Sequence, residues 1–266
     1  MLPAITVLKE TARWLVIEKP AGMVVHPPAA SPTFPVSSSQ SRTPDVTNWL
    51  LTHYPTMNDL PWPEPGRPGI VHRLDTDTSG VLLLAKNPDD LIALQAQFKD
   101  RTTRKLYRAL VLGAAPKERV LIGIIQRKEG RTEQTVKRLH FSWDKAPQKQ
   151  AETVLRTIAQ YTHGESLRQH SKGDRENLTQ LTLVELQPKT GRTHQLRVQL
   201  LDAGLPIIGD RQYCTKVSRS ISNALGLHRQ FLHAVSLSFT DPKTGERITV
   251  SSPLPRDLQT VLDQVR

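Results

Sequence analysis

Four β-branched and aliphatic runs follow one another through the middle of the chain: RKLYRALVL (104–112), RVLIGIIQ (119–126), AETVLRTIAQY (151–161) and LTQLTLVELQP (178–188). All read as strands. Two shorter runs in ITVLKETARWLVI (5–17) break at Glu10–Thr11, and residues 230–251 read as a hairpin around DPKTGE. Helical patterns are few and do not alternate regularly with the strands, which argues against a doubly wound parallel sheet. The expected fold class is α+β, a mainly antiparallel mixed β-sheet core with a few flanking helices.

The helices announce themselves by their caps. Asn87, Pro88 and the acidic pair Asp89–Asp90 open a helix over 87–100, with Leu91, Leu94 and Phe98 as its buried stripe. Thr43-Pro44-Asp45 predicts another start, with Thr43 as cap, before Val46, Trp49, Leu50 and His53. Thr193 is the expected cap of a short helix in HQLRVQLLDA that ends at Gly204, and residues 255–265 form a terminal helix. Residues 27–43 are rich in Pro and Ser, which predicts a flexible loop over 28–43. The polar stretch 162–177 reads as a long hairpin loop. No internal repeat or obvious break interrupts residues 1–266, so one domain is expected, without a separate N-terminal RNA-binding module.

With 36 Lys and Arg against 25 Asp and Glu, the net charge is +11, a surplus that suits a polyanionic partner such as nucleic acid and, on charge alone, suits a merely basic soluble surface equally well. The single cysteine, Cys214, precludes an internal disulfide and suits a reducing compartment. Apolar stretches reach about five residues, as in VLLLA, against the roughly 20 that span a bilayer, so no membrane segment is expected. MLPAITVLKE has no signal-peptide pattern, and a cytoplasmic location is the expectation.

The chemistry concentrates in VHRLDTDTSG (71–80). Asp75-Thr76-Asp77-Thr78 superficially matches the D-x-D-x-T of the haloacid-dehalogenase phosphatases. That motif needs an apolar strand directly before it, and here His72 and Arg73 interrupt the run. Zinc fits less well, because the nine histidines are scattered and lack ligand spacing. An ordinary strand-turn-strand and a catalytic Asp are the readings that stay open. Such a carboxylate must stay ionised while partly desolvated, and an arginine partner would keep it so. KTGRTHQLRVQL (189–200) supplies Arg192 and Arg197, but spacing does not say that either meets Asp75.

Five segments, in order and nearly end to end, resemble the RluA-type family of RNA pseudouridine synthases: VIEKPAGMVVHP (16–27), RPGIVHRLDTDTSGVLLLAKN (67–87), RKLYRALVLG (104–113), TGRTHQLRVQLLDAGLPIIGDRQY (190–213) and FLHAVSLSFTDPKTGE (231–246). The resemblance implies the pseudouridine synthase catalytic fold and isomerisation of uridine in structured RNA, ribosomal first and transfer RNA next, with neither metal nor cofactor. It implies Asp75 as the catalytic carboxylate and Tyr107 as the aromatic that packs on the target base. Arg197 becomes the cation that pairs with the Asp, and Arg73 an arginine that fills the gap left by a flipped base. Asp77 is left to order the turn. Gln199 and Asp241 depart from the family pattern, which commonly has His, and His-Pro, at those places. Phosphate contacts are expected from Arg101, Arg104, Lys105 and Arg108, and from Arg127, Lys128, Arg131, Lys137 and Arg138. A non-catalytic RNA-binding or ribosome-assembly factor is the alternative, and a monomer is expected in either case.

Overall fold

β2 (Trp14–Lys19) and β3 (Ser79–Ala85) pair antiparallel over six residues, from Trp14 opposite Ala85 to Lys19 opposite Gly80. β3 is buried at every position, and its unbroken apolar run is what a strand covered on both faces needs. These two strands form the centre of one of two compact units into which the computed structural model divides, Met1–Arg104 with Ala234–Ser252. The other comprises Lys105–His233 and Pro253–Arg266. The structure describes residues 4–26, 45–127, 133–137, 150–162 and 180–266. The expected loop at 28–43, and that at 162–177 apart from Thr162, lie outside the described residues.

In the first unit β1 (Thr6–Glu10) pairs antiparallel with β2, and β3 is flanked by β9 (Leu232–Thr240), which carries β10 (Arg247–Ser251) as an antiparallel hairpin. Trp14 packs edge-on against Phe239, ring centroids 5.0 Å apart, and its Nε1–H donates to Asp241 Oδ2 at 2.8 Å. Asp241 also accepts from the backbone N–H groups of Lys243 and Thr244. Burial works against its charge, yet the Lys243, Trp14 and Thr244 donors hold the carboxyl below its ordinary range. The residue that departs from the family pattern thus closes the hairpin turn and ties it to β2.

α1 (Val46–His53) and α2 (Pro88–Lys99) belong to the same unit. α2 begins as expected, with the Asn87 side chain accepting from Asp90 N at 2.9 Å. Leu91 and Leu94 are buried, but Phe98 is half-buried and stacks on His72. α1 departs from expectation. Its cap is Asp45, whose carboxylate accepts from Asn48 N at 2.8 Å, while Thr43 lies outside the described residues. An Asp at that position meets an orphan N–H and the positive helix end with one group, so it outcompetes a threonine two residues earlier.

The second unit is a five-stranded antiparallel sheet, in the order β4 (Arg104–Leu112), β8 (Gln180–Pro188), β7 (Gln150–Thr162), β5 (Glu118–Arg127) and β6 (Gln134–Lys137). α3 (Gln195–Asp202), α4 (Lys216–Ala224) and α5 (Arg256–Val265) accompany it, and their Leu196, Leu200, Ile221, Leu258 and Leu262 join the core formed by β4 and β8. α3 is not capped by Thr193. Its first flanking residue is His194 in the left-handed conformation, φ +54°, with no side-chain cap. Gln195 supplies the closure instead, because its Oε1 accepts from Arg192 N and Thr190 Oγ1. α4 has no counterpart among the sequence expectations, although Thr215 and Ser218 form a reciprocal capping box. Gln199, the other departure, is buried on α3 and satisfied. It accepts from Thr153 Oγ1 at 2.7 Å and donates to the carbonyls of Leu121 and Ala151.

Candidate functional site

Asp75 sits at the end of a loop that folds back along β3. The loop is held at short intervals. Ile70 bridges to Leu84, Gln95 Nε2 donates to Ile70 O at 3.1 Å, and Leu83 N–H donates to His72 Nε2 at 3.1 Å. A backbone N–H can only donate, so Nε2 is the acceptor and the imidazole proton lies on Nδ1. Stacking of His72 on Phe98, centroids 4.5 Å apart, fixes the ring. After Asp75 the chain turns: Thr78 N–H donates to Asp75 O at 3.1 Å, and buried Thr78 and Ser79 lead into β3. Asp75 and Asp77 are half-buried and Arg73 is exposed.

The turn is anchored from the KPAG segment. Lys19 is fully buried, and its ammonium donates to the carbonyls of Pro20 (2.8 Å), Met23 (2.8 Å) and Thr76 (2.9 Å). Gly22 N–H donates to the same Thr76 carbonyl at 2.9 Å. A buried cation is tolerated only where acceptors replace water, and here three carbonyl dipoles do so. Gly80 follows with φ +119°, and a Cβ there would stand 2.3 Å from Ala234 O, so only glycine lets β3 start this close to β9.

Tyr107 and Arg197 belong to the second unit. Tyr107 is half-buried on β4, opposite Leu186 of β8, and packs against the core of that sheet. Lys105 lies two residues earlier on the same strand, and burial pulls its pKa down to about 8. Arg197 is buried on α3 and gripped by Asp210, with Nε to Oδ2 at 2.7 Å and Nη2 to Oδ1 at 2.9 Å. Asp210 Oδ1 also accepts from the backbone N–H groups of Gln212 and Tyr213. The Tyr213 ring lies 4.9 Å from the Arg197 guanidinium, and Gln134 N–H and His194 Nδ1 lie on its hydroxyl. Burial pushes that hydroxyl's pKa up. The 190–195 loop is itself pinned, with Gln195 Nε2 donating to Glu152 O and Thr153 Oγ1.

The structure therefore places Asp75 and Arg73 on one loop of the first unit, and Tyr107 and Arg197 in the second. The supporting residues Lys19, Asp210 and Tyr213 had no role in the sequence reading, although all three lie inside the quoted motifs. Of the basic residues, Arg101, Arg104 and Arg127 are exposed and Lys105 and Arg108 half-buried, while Lys128, Arg131 and Arg138 lie outside the described residues. Among the described residues no group of three or more His, Cys, Asp or Glu is placed to hold a metal ion, and no helix is long and apolar enough to cross a membrane.

The family model for RNA pseudouridylate synthase matches residues 13–202. The chain belongs to the RNA pseudouridylate synthase family. Three of the five resembling segments lie wholly inside the matched region, the fourth begins inside it, and the fifth, 231–246, lies beyond it. Among relatives, an uncharacterized RNA pseudouridine synthase of Chloroflexus aurantiacus is 38% identical over 93% of this chain and 65% of its own length. An uncharacterized RNA pseudouridine synthase of Chlorobaculum parvum is 36% identical over 98% of this chain and 74% of its own length. Ribosomal large subunit pseudouridine synthase D of Neisseria meningitidis is 33% identical over 99% of this chain and 62% of its own length. The chain thus spans about two thirds of these members of the pseudouridylate synthase family. The solved structure of human RNA pseudouridylate synthase domain containing 4 covers 98% of this chain, and 92% of that one is matched, with TM-score 0.69 and 24% identity. It has the pseudouridylate synthase fold, which matches the α+β architecture expected from the strand succession.

Proposed function

We propose that this chain isomerises uridine to pseudouridine in structured RNA, with Asp75 as the catalytic carboxylate. The observation that carries the reading is the pinned turn around Asp75, within the region that the family model matches. The reaction breaks N1–C1′, turns the uracil, and joins C5 to C1′. The proton on C5 leaves and N1 gains one, so no redox step or cofactor enters the balance. Positive charge developing at C1′ is stabilised by a nearby carboxylate, as in glycoside hydrolysis. A pinned backbone holds that carboxylate in place before substrate arrives.

The target base must leave its stack, at a cost of a few kcal/mol. Stacking on Tyr107 offsets about 1–3 kcal/mol of it. Arg197 and Arg73 are assigned to substrate binding, and Asp210 holds the Arg197 fork in one orientation. Large-subunit ribosomal RNA is the first substrate to test, in keeping with the name of the Neisseria relative. We place residues of both units in one catalytic domain, since the matched region draws on each, and assign the protein to the cytoplasm as a monomer.

Site-resolved pseudouridine mapping of total RNA from a deletion strain, with wild-type and Asp75→Asn rescue, is the test. One or a few sites should vanish on deletion and return only with wild type. Retained modification with Asp75→Asn removes the assignment of Asp75. No change at any site, with RNA still bound, favours the non-catalytic RNA-binding protein.

A further inference from the structure

An open cavity of about 250 Å³ lies in the first unit, between Pro63–Arg67, residues 70–73 and α2, which contributes Leu91 and Gln95. Ile70 and Leu91 give it apolar wall, and His26, Arg67, Arg73 and Gln95 bring polar groups to it. That volume lies just below the ~300–1,000 Å³ of drug-sized ligand sites, which limits the occupant to no more than about one nucleotide of a strand.

Its walls are preorganised. Gln95 is bonded to Ile70 O, and His72 is fixed by Leu83 N–H and by Phe98. Rigid walls reduce the ordering that binding would otherwise require. Arg67 Nη1 lies 3.0 Å from Glu64 Oε2, both groups well exposed. An exposed pair of this kind contributes about 0–1 kcal/mol, so a phosphate can displace Glu64 and take Arg67 in a charge-assisted bond. The wall at Arg73 is two residues from Asp75, a reach of at most about 7 Å along the backbone.

We infer that this cavity is a subsite for one ribonucleotide next to the target uridine in the RNA strand, its base against Ile70 and Leu91 and its phosphate on Arg67. The inference rests on reading the chain as an RNA-modifying protein. It gives Glu64 the role of a gate: the carboxylate neutralises Arg67 until a phosphate replaces it.

The test is filter binding of labelled, unmodified large-subunit ribosomal RNA transcript at one fixed ionic strength. Arg67→Gln should weaken binding about fivefold or more, and Glu64→Gln should tighten it about two- to fivefold. The controls are Lys9→Gln and Glu246→Gln, the same charge changes on exposed residues of the same unit outside the cavity, and they should stay within about twofold of wild type. The opposite signs at neighbouring residues separate a phosphate site from a folding defect, which would weaken both variants. The subsite is overturned if Arg67→Gln loses no more than Lys9→Gln, if Glu64→Gln gains no more than Glu246→Gln, or if the wild type does not bind the transcript. Displacement of the transcript by uridine 5′-monophosphate at micromolar concentration would mean a free-mononucleotide site and overturns it too. Isomerisation is read separately: a wild type that binds through Arg67 but converts no uridine keeps the subsite and loses the proposed activity.

Discussion

Lys19 and Thr76 lie 57 residues apart and meet in a partly buried hydrogen bond, ammonium to carbonyl at 2.9 Å, one residue beyond Asp75. The same ammonium serves Pro20 and Met23, so one side chain holds the KPAG loop and the Asp75 turn together. Lys19→Met keeps the bulk and takes the ammonium donor from the Pro20 and Met23 carbonyls, while Thr76 O keeps the Gly22 N–H. At about 1–3 kcal/mol for each buried group left unsatisfied, a loss of about 2 kcal/mol or more is expected in urea denaturation. A loss under about 1 kcal/mol would mean that water replaces the ammonium.

Arg197 and Asp210 form a buried two-point pair with two backbone N–H groups on the carboxylate. Asp210→Ala leaves a buried cation and is expected to cost about 3–5 kcal/mol of stability. Arg197→Lys keeps the charge and loses the fork, so RNA modification should fall much further than the melting temperature. Parallel thermal melts and modification assays of the two variants check this.

Gly80→Ala should be among the least tolerated single-methyl changes in the chain. Its φ of +119° strains any side chain, and the new Cβ would collide with the Ala234 backbone. Soluble yield and chemical denaturation of the variant are the readout, and near-wild-type stability would show that β3 and β9 can separate.

Lys105 is desolvated, and its folded pKa of about 8 lies below its usual 10.5. Between those values the unfolded state binds more protons, so this residue's contribution to stability rises with pH across about 8 to 10.5. The destabilising charge is fully present below pH 8. Lys105→Met should therefore be more stable than wild type at pH 7, with the difference shrinking toward pH 10.5 in urea titrations at one-unit steps. A difference that does not change with pH would place the Lys105 pKa near its ordinary value.

What could be read along the chain was whatever is written within a few residues. β1, β2 and the four long strands of the second unit follow from continuous or alternating apolar runs, and α2 from Asn87 and Pro88 beside one another, whereas β3 and the four-residue β6 were not among the expected strands. The same local rules failed where two caps were close together in sequence. Asp45 took the end of α1, and Gln195 folded back to close the loop before α3 in place of Thr193. α4 was missed because KVSRSISNA is polar and poor in strong helix formers, while its capping box is a local contact between Thr215 and Ser218.

The sequence by itself determined the fold class, the family and the position of Asp75, since periodicity and motif order are properties of neighbouring residues. Only the tertiary structure decided which groups surround them. Thirteen residues separate Arg197 from Asp210 and 57 separate Lys19 from Thr76, distances over which pattern carries no pairing information. Those partners are set by burial: once packing removes water from a charged side chain, it must find oxygen or nitrogen wherever the fold brings them.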